Sequence, residues 1–228
     1  MSFTVAIIPA KSNSRRLPNK NILKLENKEL FLYSVNCAKK TPLIDEIFVS
    51  SDSDKILKIA KSKNVKILKR DLKLCAEEIT NFDVLLHIFN QLKEMGKEPD
   101  IIALLQPTTP FRYPENLNMM IKIFKENPYA DSLITVKESK RIRGTISNKY
   151  WIPETNNKNN LQSTKIKYEA TGHIILLRPR LTLGKNTLLG EKIIPQDLPL
   201  NWPDIDIDTK EDWEFAESFI KNHPEGLS

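Results

Sequence analysis

The stretch FTVAIIPAKSNSRRLPNKN, residues 3–21, decides the fold of this chain, because an apolar strand in it runs directly into a basic loop. The segment FTVAIIP is short, continuous and rich in β-branched residues, which is typical of a strand covered on both faces. The following loop contains Ser, Asn and Pro but no glycine, so it is neither a P-loop nor a dinucleotide-binding fingerprint. The sequence therefore predicts a central strand that ends in a polar loop.

Beyond this stretch, apolar strands alternate with amphipathic helices. Further strands are predicted at 46–52, 65–68, 100–107, 131–137 and from 168 onward, and helices at 30–40, 54–61, 82–95, 114–126 and 210–222. Ser53 and Thr209 are suited to cap two of these helices, and Pro114 stands where a first helical turn tolerates proline. The alternation predicts an α/β fold with a mostly parallel sheet flanked by helices.

The length of 228 residues fits one domain spanning 1–228, with one interruption of the pattern. The segment 138–167 is polar and rich in Lys, Asn and Ser, which fits a disordered loop, an arm that packs on a partner chain, or a lid. The sequence contains no run of about 18 apolar residues, so no membrane span is predicted. Cys37 and Cys75 are far apart and form neither a CxxC pair nor a disulfide framework, so we expect a cytoplasmic protein.

The charge balance is basic, with 35 Lys and Arg against 29 Asp and Glu, a formal net charge of +6. Such an excess fits a nucleic-acid binder or a lysine-rich protein with one anion-binding cleft. Because the lysines are spread along the chain rather than clustered, the second interpretation is favoured and no nucleic acid is expected as a partner.

Ligands of such folds lie at the carboxyl ends of the strands, which directs attention to the loop 10–21. Its four cations, Lys11, Arg15, Arg16 and Lys20, would surround a polyphosphate with charge and hydrogen-bond donors. A solvated basic loop is the alternative. The position of the loop directly after the first strand favours the phosphate site.

A second candidate is DIDIDT, residues 204–209. Asp206 and Asp208 are two residues apart, so on an extended chain both carboxylates face one side and suit a hard cation such as Mg²⁺. A helix N-terminus is the alternative, and it explains Thr209 with the acids that follow. It does not explain two acids set among isoleucines, where unpaired charge is costly to bury.

Weaker signals come from LLQPTTPFR at 104–112 and VSSD at 49–52. Gln106 could read a base edge, and Thr108, Thr109 or Arg112 could meet phosphate or ribose, although composition alone favours a strand-to-helix turn. His173 follows Gly172 in a predicted strand and could face the site. We find no Ser-His-Asp or Cys-His set, so nucleophilic catalysis has little support.

Four strings, IPAKSNSRRLPNKN, VSSDSDKI, LLQPTTPFR and DIDIDT, together resemble the CMP-sialic acid synthetase (acylneuraminate cytidylyltransferase) family. The resemblance covers residues 5–137 and resumes at 168–215. It implies a Rossmann-like nucleotidyltransferase fold, the use of CTP with Mg²⁺, and a homodimer formed through an arm at the position of 138–167.

The resemblance also assigns roles. Lys20 would stabilise the α-phosphate and the leaving pyrophosphate, Lys11 would lie near the triphosphate, and Asp208 would bind metal with Asp206 and help to polarise the attacking hydroxyl. The nucleotide-binding set is Ala10, Lys11, Ser14, Arg15, Lys20, Asn21, Ser51 and Asp52. The substrate-binding set is Gln106, Thr108, Arg112, Glu169, Gly172 and His173.

One feature of many family members, an arginine shortly before the late strand that serves the sugar carboxylate, is absent here. Lys165 or Lys167 could replace it, and the acid Glu169 suits a sugar that carries amino or acylamino groups. The implied activity is transfer of CMP from CTP to a sialic-acid-like 2-keto sugar acid. Another sugar nucleotidyltransferase and a catalytically silent nucleotide-binding homologue stay open as alternatives.

Overall fold

The computed structural model describes residues 2–76, 78–139, 144–153, 167–198 and 202–223. The helices are α1 Leu30–Lys39, α2 Asp54–Ser62, α3 Asn81–Glu94, α4 Pro114–Glu126 and α5 Lys210–Asn222. The strands are β1 Thr4–Pro9, β2 Lys24–Leu25, β3 Lys28–Glu29, β4 Glu46–Ser51, β5 Lys66–Lys69, β6 Ile101–Leu104, β7 Ser132–Ser139, β8 Gly144–Ser147, β9 Tyr150–Pro153, β10 Lys167–Leu177 and β11 Ile193–Asp197. Among these residues, no helix combines the length and apolar character that crossing a bilayer requires.

Seven strands form the central sheet, in the order β11-β7-β10-β6-β1-β4-β5. Strand β1 pairs in parallel with β4 and β6, and the β4–β5 and β11–β7 pairs are also parallel. Strand β10 runs antiparallel to both of its neighbours. The predicted mostly parallel α/β sheet is confirmed, and β10 is the departure from it.

The central strand is covered on both faces, as its continuous apolar run predicts. Ala6 and Ile8 belong to the core on one face with α1, α2 and α4, whereas Val5 and Ile7 belong to the core on the other face with α3. All four side chains are fully buried. The sheet therefore presents its carboxyl edge, rather than either face, to ligands.

Helix starts follow the capping signals. The Ser53 and Thr209 side chains cap α2 and α5, as predicted, and Pro114 occupies the first turn of α4. Thr80 forms a capping box with Asp83 at the start of α3, which the sequence analysis did not identify. These residues fix where each helix begins.

A third apolar cluster holds DIDIDT at this edge. Ile205 and Ile207 are buried against residues of α1 and α5, whereas Asp206 between them points outward. The backbone N–H of Ile207 donates to the Thr108 carbonyl oxygen at 2.7 Å. The alternation of isoleucine and aspartate thus fixes both the position and the orientation of the carboxylates.

The segment 138–167 contains structure that the sequence analysis did not predict. Strands β8 and β9 form a hairpin, and β10 begins at Lys167, while 140–143 and 154–166 lie outside the described residues. The hairpin exposes large apolar side chains, namely Ile146, Tyr150, Trp151 and Ile152. Its role as an arm or lid stays a prediction.

Candidate active site

A cavity of about 660 Å³ opens at the carboxyl edge of the sheet. The loop after β1, the segment between β5 and α3, the turn after β6 and the DIDIDT segment meet there. Its lining comprises Pro9, Lys11, Ser14, Arg15, Arg16, Lys20, Asn21, Arg70, Leu74, Ala76, Ile79, Thr80, Asn81, Val84, Gln106, Pro107, Thr108, Asp206 and Asp208. Residues of the predicted loop 10–21, of the turn after β6 and of DIDIDT therefore share one cavity, whereas the predicted segment VSSD at 49–52 does not line it.

The basic loop is held in a fixed shape. Asn19 adopts a left-handed conformation with φ 57°, and residues Lys20–Ile22 form a single helical turn after it. The Asn21 side chain donates to the Lys11 carbonyl oxygen at 2.8 Å and so closes the loop. The buried Ser14 hydroxyl lines the cavity and has no hydrogen-bond partner among the described residues, which leaves it available to a ligand.

Lys20 is the anchored cation of the site. Although it is a lysine, only 8% of its surface is exposed. Its ammonium group donates to the Ile207 carbonyl oxygen and to Oδ1 of Asp208, each at 2.7 Å. The basic loop and the acidic segment, 187 residues apart in sequence, are thus joined through one charge.

The two aspartates present the donors that a hard cation requires. Asp206 is open to the cavity. Desolvation by the surrounding protein raises the pKa of its carboxyl group, and the nearby charge of Asp208 raises it further. A hydrogen bond with the Thr108 side chain acts in the opposite direction. The described residues hold no cluster of three or more His, Cys, Asp or Glu suited to a metal. Two carboxylates fit Mg²⁺, which takes its other ligands from phosphate oxygens and water.

Gln106 is oriented by neighbours on both sides. Its Oε1 accepts from Asn81 at 3.0 Å, and its Nε2 donates to the Gly172 carbonyl oxygen at 3.3 Å. Gly172 has φ +72°, and a Cβ at that position would lie 3.1 Å from the Gln106 amide nitrogen. Glycine is therefore required where β10 passes Gln106.

Arg112 lies behind the cavity wall instead of lining it. Its guanidinium donates to the Gln106 carbonyl oxygen at 2.7 Å, to Thr109 Oγ1 at 2.6 Å, to Ser34 Oγ at 3.0 Å and to the His173 carbonyl oxygen. Complete burial lowers its pKa to about 10. Arg112 thus supports the turn that carries Gln106.

His173 is also fully buried and outside the cavity. Its Nε2 lies 3.1 Å from the Pro203 carbonyl oxygen, which can only accept, so Nε2 carries the proton. Burial, followed by the nearby Arg112, lowers its pKa to about 4. The neutral imidazole therefore ties β10 to the start of the acidic segment.

Four other predicted residues flank the cavity without lining it. Ala10 and Ser51 are buried, and Ser51 Oγ accepts from the backbone of Ser53 at 3.0 Å. Asp52 accepts from the Ser12 backbone at 2.8 Å; desolvation opposes its ionisation, but the Ser12 hydrogen bonds outweigh it and lower its pKa. Glu169 accepts from the Ser139 hydroxyl at 2.6 Å.

The comparisons with known proteins agree with this geometry. The family model described as "Cytidylyltransferase" matches residues 5–199. The chain belongs to the cytidylyltransferase family. The predicted resemblance is confirmed, and the matched residues include the basic loop of the cavity.

Two curated relatives match this cytidylyltransferase along nearly its whole length. CMP-N,N'-diacetyllegionaminic acid synthase of Legionella pneumophila is 26% identical, with 98% of each chain covered. Pseudaminic acid cytidylyltransferase of Campylobacter jejuni is 25% identical, with 96% of this chain and 97% of the relative covered. N-acylneuraminate cytidylyltransferase of Escherichia coli is 29% identical over 60% of this chain, and the match spans 32% of that longer protein.

Solved structures confirm the fold of the cytidylyltransferase. CMP:2-keto-3-deoxy-manno-octonic acid synthetase complexed with CTP superposes with a TM-score of 0.75 at 16% identity, covering 97% of this chain and all of that one. The 4-diphosphocytidyl-2C-methyl-D-erythritol synthase of Anaerococcus prevotii has a TM-score of 0.68 at 17% identity, covering 96% of each chain. At these identities the likeness establishes the nucleotidyltransferase fold alone.

The wall formed by Arg70, Leu74, Ala76, Ile79 and Val84 was missed by the sequence analysis. Arg70 is buried, donates to the Ser50 carbonyl oxygen at 3.0 Å and lines the cavity. Leu74, Ile79 and Val84 give the cytidylyltransferase an apolar surface beside it. The signal was available, because Arg70 directly follows β5, whose carboxyl end lies on the same edge as those of β1 and β4.

The replacement for the missing family arginine is not decided by the described residues. Lys165 lies outside them, and Lys167 is exposed at the start of β10. Arg16 was predicted as one of the four cations of the phosphate loop, with no role assigned by the resemblance; it lines the cavity and pairs with Asp208.

Proposed function

We propose that this protein transfers CMP from CTP to a sialic-acid-like nonulosonic acid and releases pyrophosphate. The observation that carries the proposal is the joining of a four-cation loop to a pair of carboxylates in one cavity, through Lys20 and Asp208. Family membership supports the CTP-dependent chemistry. The two full-length relatives, named for legionaminic and pseudaminic acid, support the substrate class.

CTP fits the cavity in one direction. Its triphosphate lies along the loop 10–21, where Lys11, Arg15 and Lys20 supply positive charge and the Ser14 hydroxyl supplies an unused hydrogen-bond group. Its base lies toward the wall that contains Arg70 and the apolar residues before α3. A cavity that is cationic at one end and apolar at the other matches the two ends of a nucleotide.

Asp206 and Asp208 would hold Mg²⁺ together with phosphate oxygens and water. When bound, Mg²⁺ neutralises phosphate charge and aligns the oxygens of an in-line displacement. The residues of this chain fix the rest of the geometry. The oxygen of the anomeric hydroxyl forms a bond to the α-phosphorus of CTP and loses its proton to solvent by way of Asp208. The bond from that phosphorus to the pyrophosphate oxygen breaks, and Lys20 stabilises the negative charge that develops there.

The sugar acid would bind beside Gln106, which lines the cavity and contacts Gly172 of β10. Gln106 is held by Asn81 and Gly172, so its amide has a defined orientation toward a substrate. Glu169 lies farther along β10 and could accept from an amino or acylamino group. In this arrangement Asp208 accepts a hydrogen bond from the attacking hydroxyl and polarises it.

A homodimer and a cytoplasmic location belong to the same proposal. The exposed apolar side chains of the β8–β9 hairpin support burial against a second copy of the chain. The two cysteines are free thiols, and CTP is a metabolite of the cytoplasm, which supports that location. Neither feature is required by the chemistry of the cavity.

The test is release of pyrophosphate with Mg²⁺ and CTP, using N-acetylneuraminic, legionaminic, pseudaminic and 2-keto-3-deoxy-manno-octonic acids as acceptors. ATP, GTP and UTP serve as controls, and the double variant Asp206→Ala/Asp208→Ala serves as the blank. We expect release with CTP and one nine-carbon acid, absent from the blank. Release only with ATP, GTP or UTP, or binding of CTP without turnover on any acid, would favour another nucleotidyltransferase or a silent homologue instead.

A further inference from the structure

Asp208 is fully engaged by cations of its own chain, whereas Asp206 is not. Lys20 donates to Oδ1 of Asp208 at 2.7 Å, and Arg16 donates to Oδ2. Both oxygens of the carboxylate therefore carry a charged donor. Asp206 instead accepts a hydrogen bond from a neutral group, the hydroxyl of Thr108.

This pairing opposes metal binding at Asp208. Arg16 and Lys20 each occupy one of the two lone pairs on their oxygen, so a divalent cation at Asp208 would have to share the carboxylate with two charged donors. Two positive charges on the carboxylate also repel a third cation at that position. In this arrangement the two bound cations weaken metal binding at Asp208, and the departure of one of them would strengthen it.

Arg16 is the partner that can move. Lys20 is buried and is also held by the Ile207 carbonyl oxygen, so it has little freedom. The Arg16 side chain is 63% exposed and belongs to the loop that faces the triphosphate position. Guanidinium groups bind phosphate oxygens with paired hydrogen bonds, so a triphosphate competes directly with Asp208 for Arg16.

We propose that Arg16 is a positioning residue that occupies Asp208 until a triphosphate draws it away and frees the carboxylate for metal. The inference rests on the proposed function, because it takes the triphosphate of CTP as the competitor. Binding of the nucleotide then prepares the metal site, and metal binds Asp208 more weakly while the cavity is empty. The pair formed by Arg16 and Asp208 thereby makes metal binding at Asp208 follow nucleotide binding.

The test measures CTP binding by calorimetry in the presence of a chelator, without any turnover. Asp208→Asn releases Arg16 and Lys20, so it should tighten metal-free CTP binding about five- to tenfold more than the matched variant Asp206→Asn. Both variants remove one carboxylate charge from the same cavity. The excess gain should shrink in the double variant Arg16→Ala/Asp208→Asn, because Arg16 is then missing as a phosphate ligand.

A second measurement follows Mn²⁺ binding to the nucleotide-free protein by electron paramagnetic resonance. Arg16→Ala should bind Mn²⁺ about three- to fivefold more tightly than the wild type, and Arg16→Lys should restore the weaker affinity. Equal CTP gains for Asp208→Asn and Asp206→Asn, or unchanged Mn²⁺ affinity in Arg16→Ala, would overturn the inference. Absence of CTP binding in every variant and the wild type would instead overturn the proposed function, while the Mn²⁺ series still tests the role of Arg16.

Discussion

Lys20 has a defined position because it is buried between two acceptors, the Ile207 carbonyl oxygen and Asp208. A charge held in place before the reaction stabilises a transition state without further rearrangement. We predict that Lys20→Ala lowers kcat about 10²- to 10³-fold, measured as pyrophosphate release at saturating CTP. Lys24→Ala, at an exposed lysine four residues along, is the control, and near-normal turnover of Lys20→Ala would remove the residue from the mechanism.

Substitutions at Gly172 and Gly96 distinguish the effect of backbone strain from the effect of contact with the site. Both have positive φ, +72° and +70°, but a Cβ at Gly172 would lie 3.1 Å from Gln106 Nε2, whereas a Cβ at Gly96 meets nothing within 4 Å. We predict that Gly172→Ala and Gly96→Ala each lower the free energy of unfolding by about 1–3 kcal/mol. Only Gly172→Ala should also raise the KM for the sugar acid, because it displaces Gln106.

Urea denaturation and steady-state kinetics of both variants check this prediction. Equal kinetic effects of the two substitutions would show that strain, and not the contact with Gln106, governs activity.

Single residues were predictable where their pattern was unusual and missed where it was ordinary. Asp206 and Asp208 stand out because charged groups alternate with isoleucines, and the structure places both in the cavity. Arg70 is one basic residue among 35 and carries no local signature, so only the fold reveals its position. Arg112 is in a motif, but its neighbours bury it behind the wall, a distinction that sequence spacing does not contain.

At the scale of elements, α5 positions the acidic segment through its cap. Oδ2 of Asp212 accepts from the backbone N–H of Asp208 at 3.0 Å and of Thr209 at 2.8 Å, and Thr209 caps the helix in return. The start of the helix and the Asp208 backbone that carries the carboxylate are therefore one unit. Loss of the cap should disturb both stability and chemistry.

We predict that Thr209→Ala lowers the free energy of unfolding by about 1 kcal/mol and also raises the Mg²⁺ concentration needed for half-maximal activity. Ser53→Ala removes the comparable cap of α2, which does not adjoin the carboxylates, and should lose similar stability with an unchanged Mg²⁺ requirement. Denaturant titration and Mg²⁺ titration measure the two effects. The same Mg²⁺ shift in both variants would contradict the link between cap and site.

The main elements were predictable because each has a strong local signal. The apolar run of β1, the helical spacing of Val84, Leu85 and Ile88 in α3, and the Pro114 start of α4 all appear in the structure. Strands β8, β9 and β11 were missed, since short strands whose partners are distant or flanked by polar residues carry little periodicity. The antiparallel direction of β10 follows from tertiary pairing and has no counterpart in its own sequence.

At the scale of the whole molecule, His173 makes stability depend on pH. Its pKa in the folded protein is about 4, lowered by burial and then by Arg112 from an ordinary value of 6.5. Above pH 6.5 both folded and unfolded states are neutral here. As the pH falls toward 4, the unfolded state takes up the proton first, so stability decreases across that window.

We predict that the lowered pKa of His173 reduces the free energy of unfolding of the wild type by about 2 kcal/mol when the pH falls from 7.5 to 5.0. His173→Gln keeps a donor for the Pro203 carbonyl oxygen but cannot titrate, so its loss over the same interval should be smaller by about that amount. Denaturation curves at the two pH values provide the measurement. Parallel losses in the two proteins would exclude His173 as the source.

The last prediction concerns assembly. Ile146 and Trp151 are directly opposite each other in the β8–β9 register, so both lie on one face of the hairpin, where they are 79% and 51% exposed. A pair of large apolar groups on a two-stranded hairpin gains stability when a second copy covers it. We predict that the wild type is a homodimer and that Ile146→Glu/Trp151→Glu is a monomer, measured by size-exclusion chromatography with light scattering. Tyr129→Glu, at an exposed aromatic residue in the loop after α4, should remain dimeric, whereas a monomeric wild type or a dimeric double variant would assign the hairpin another role.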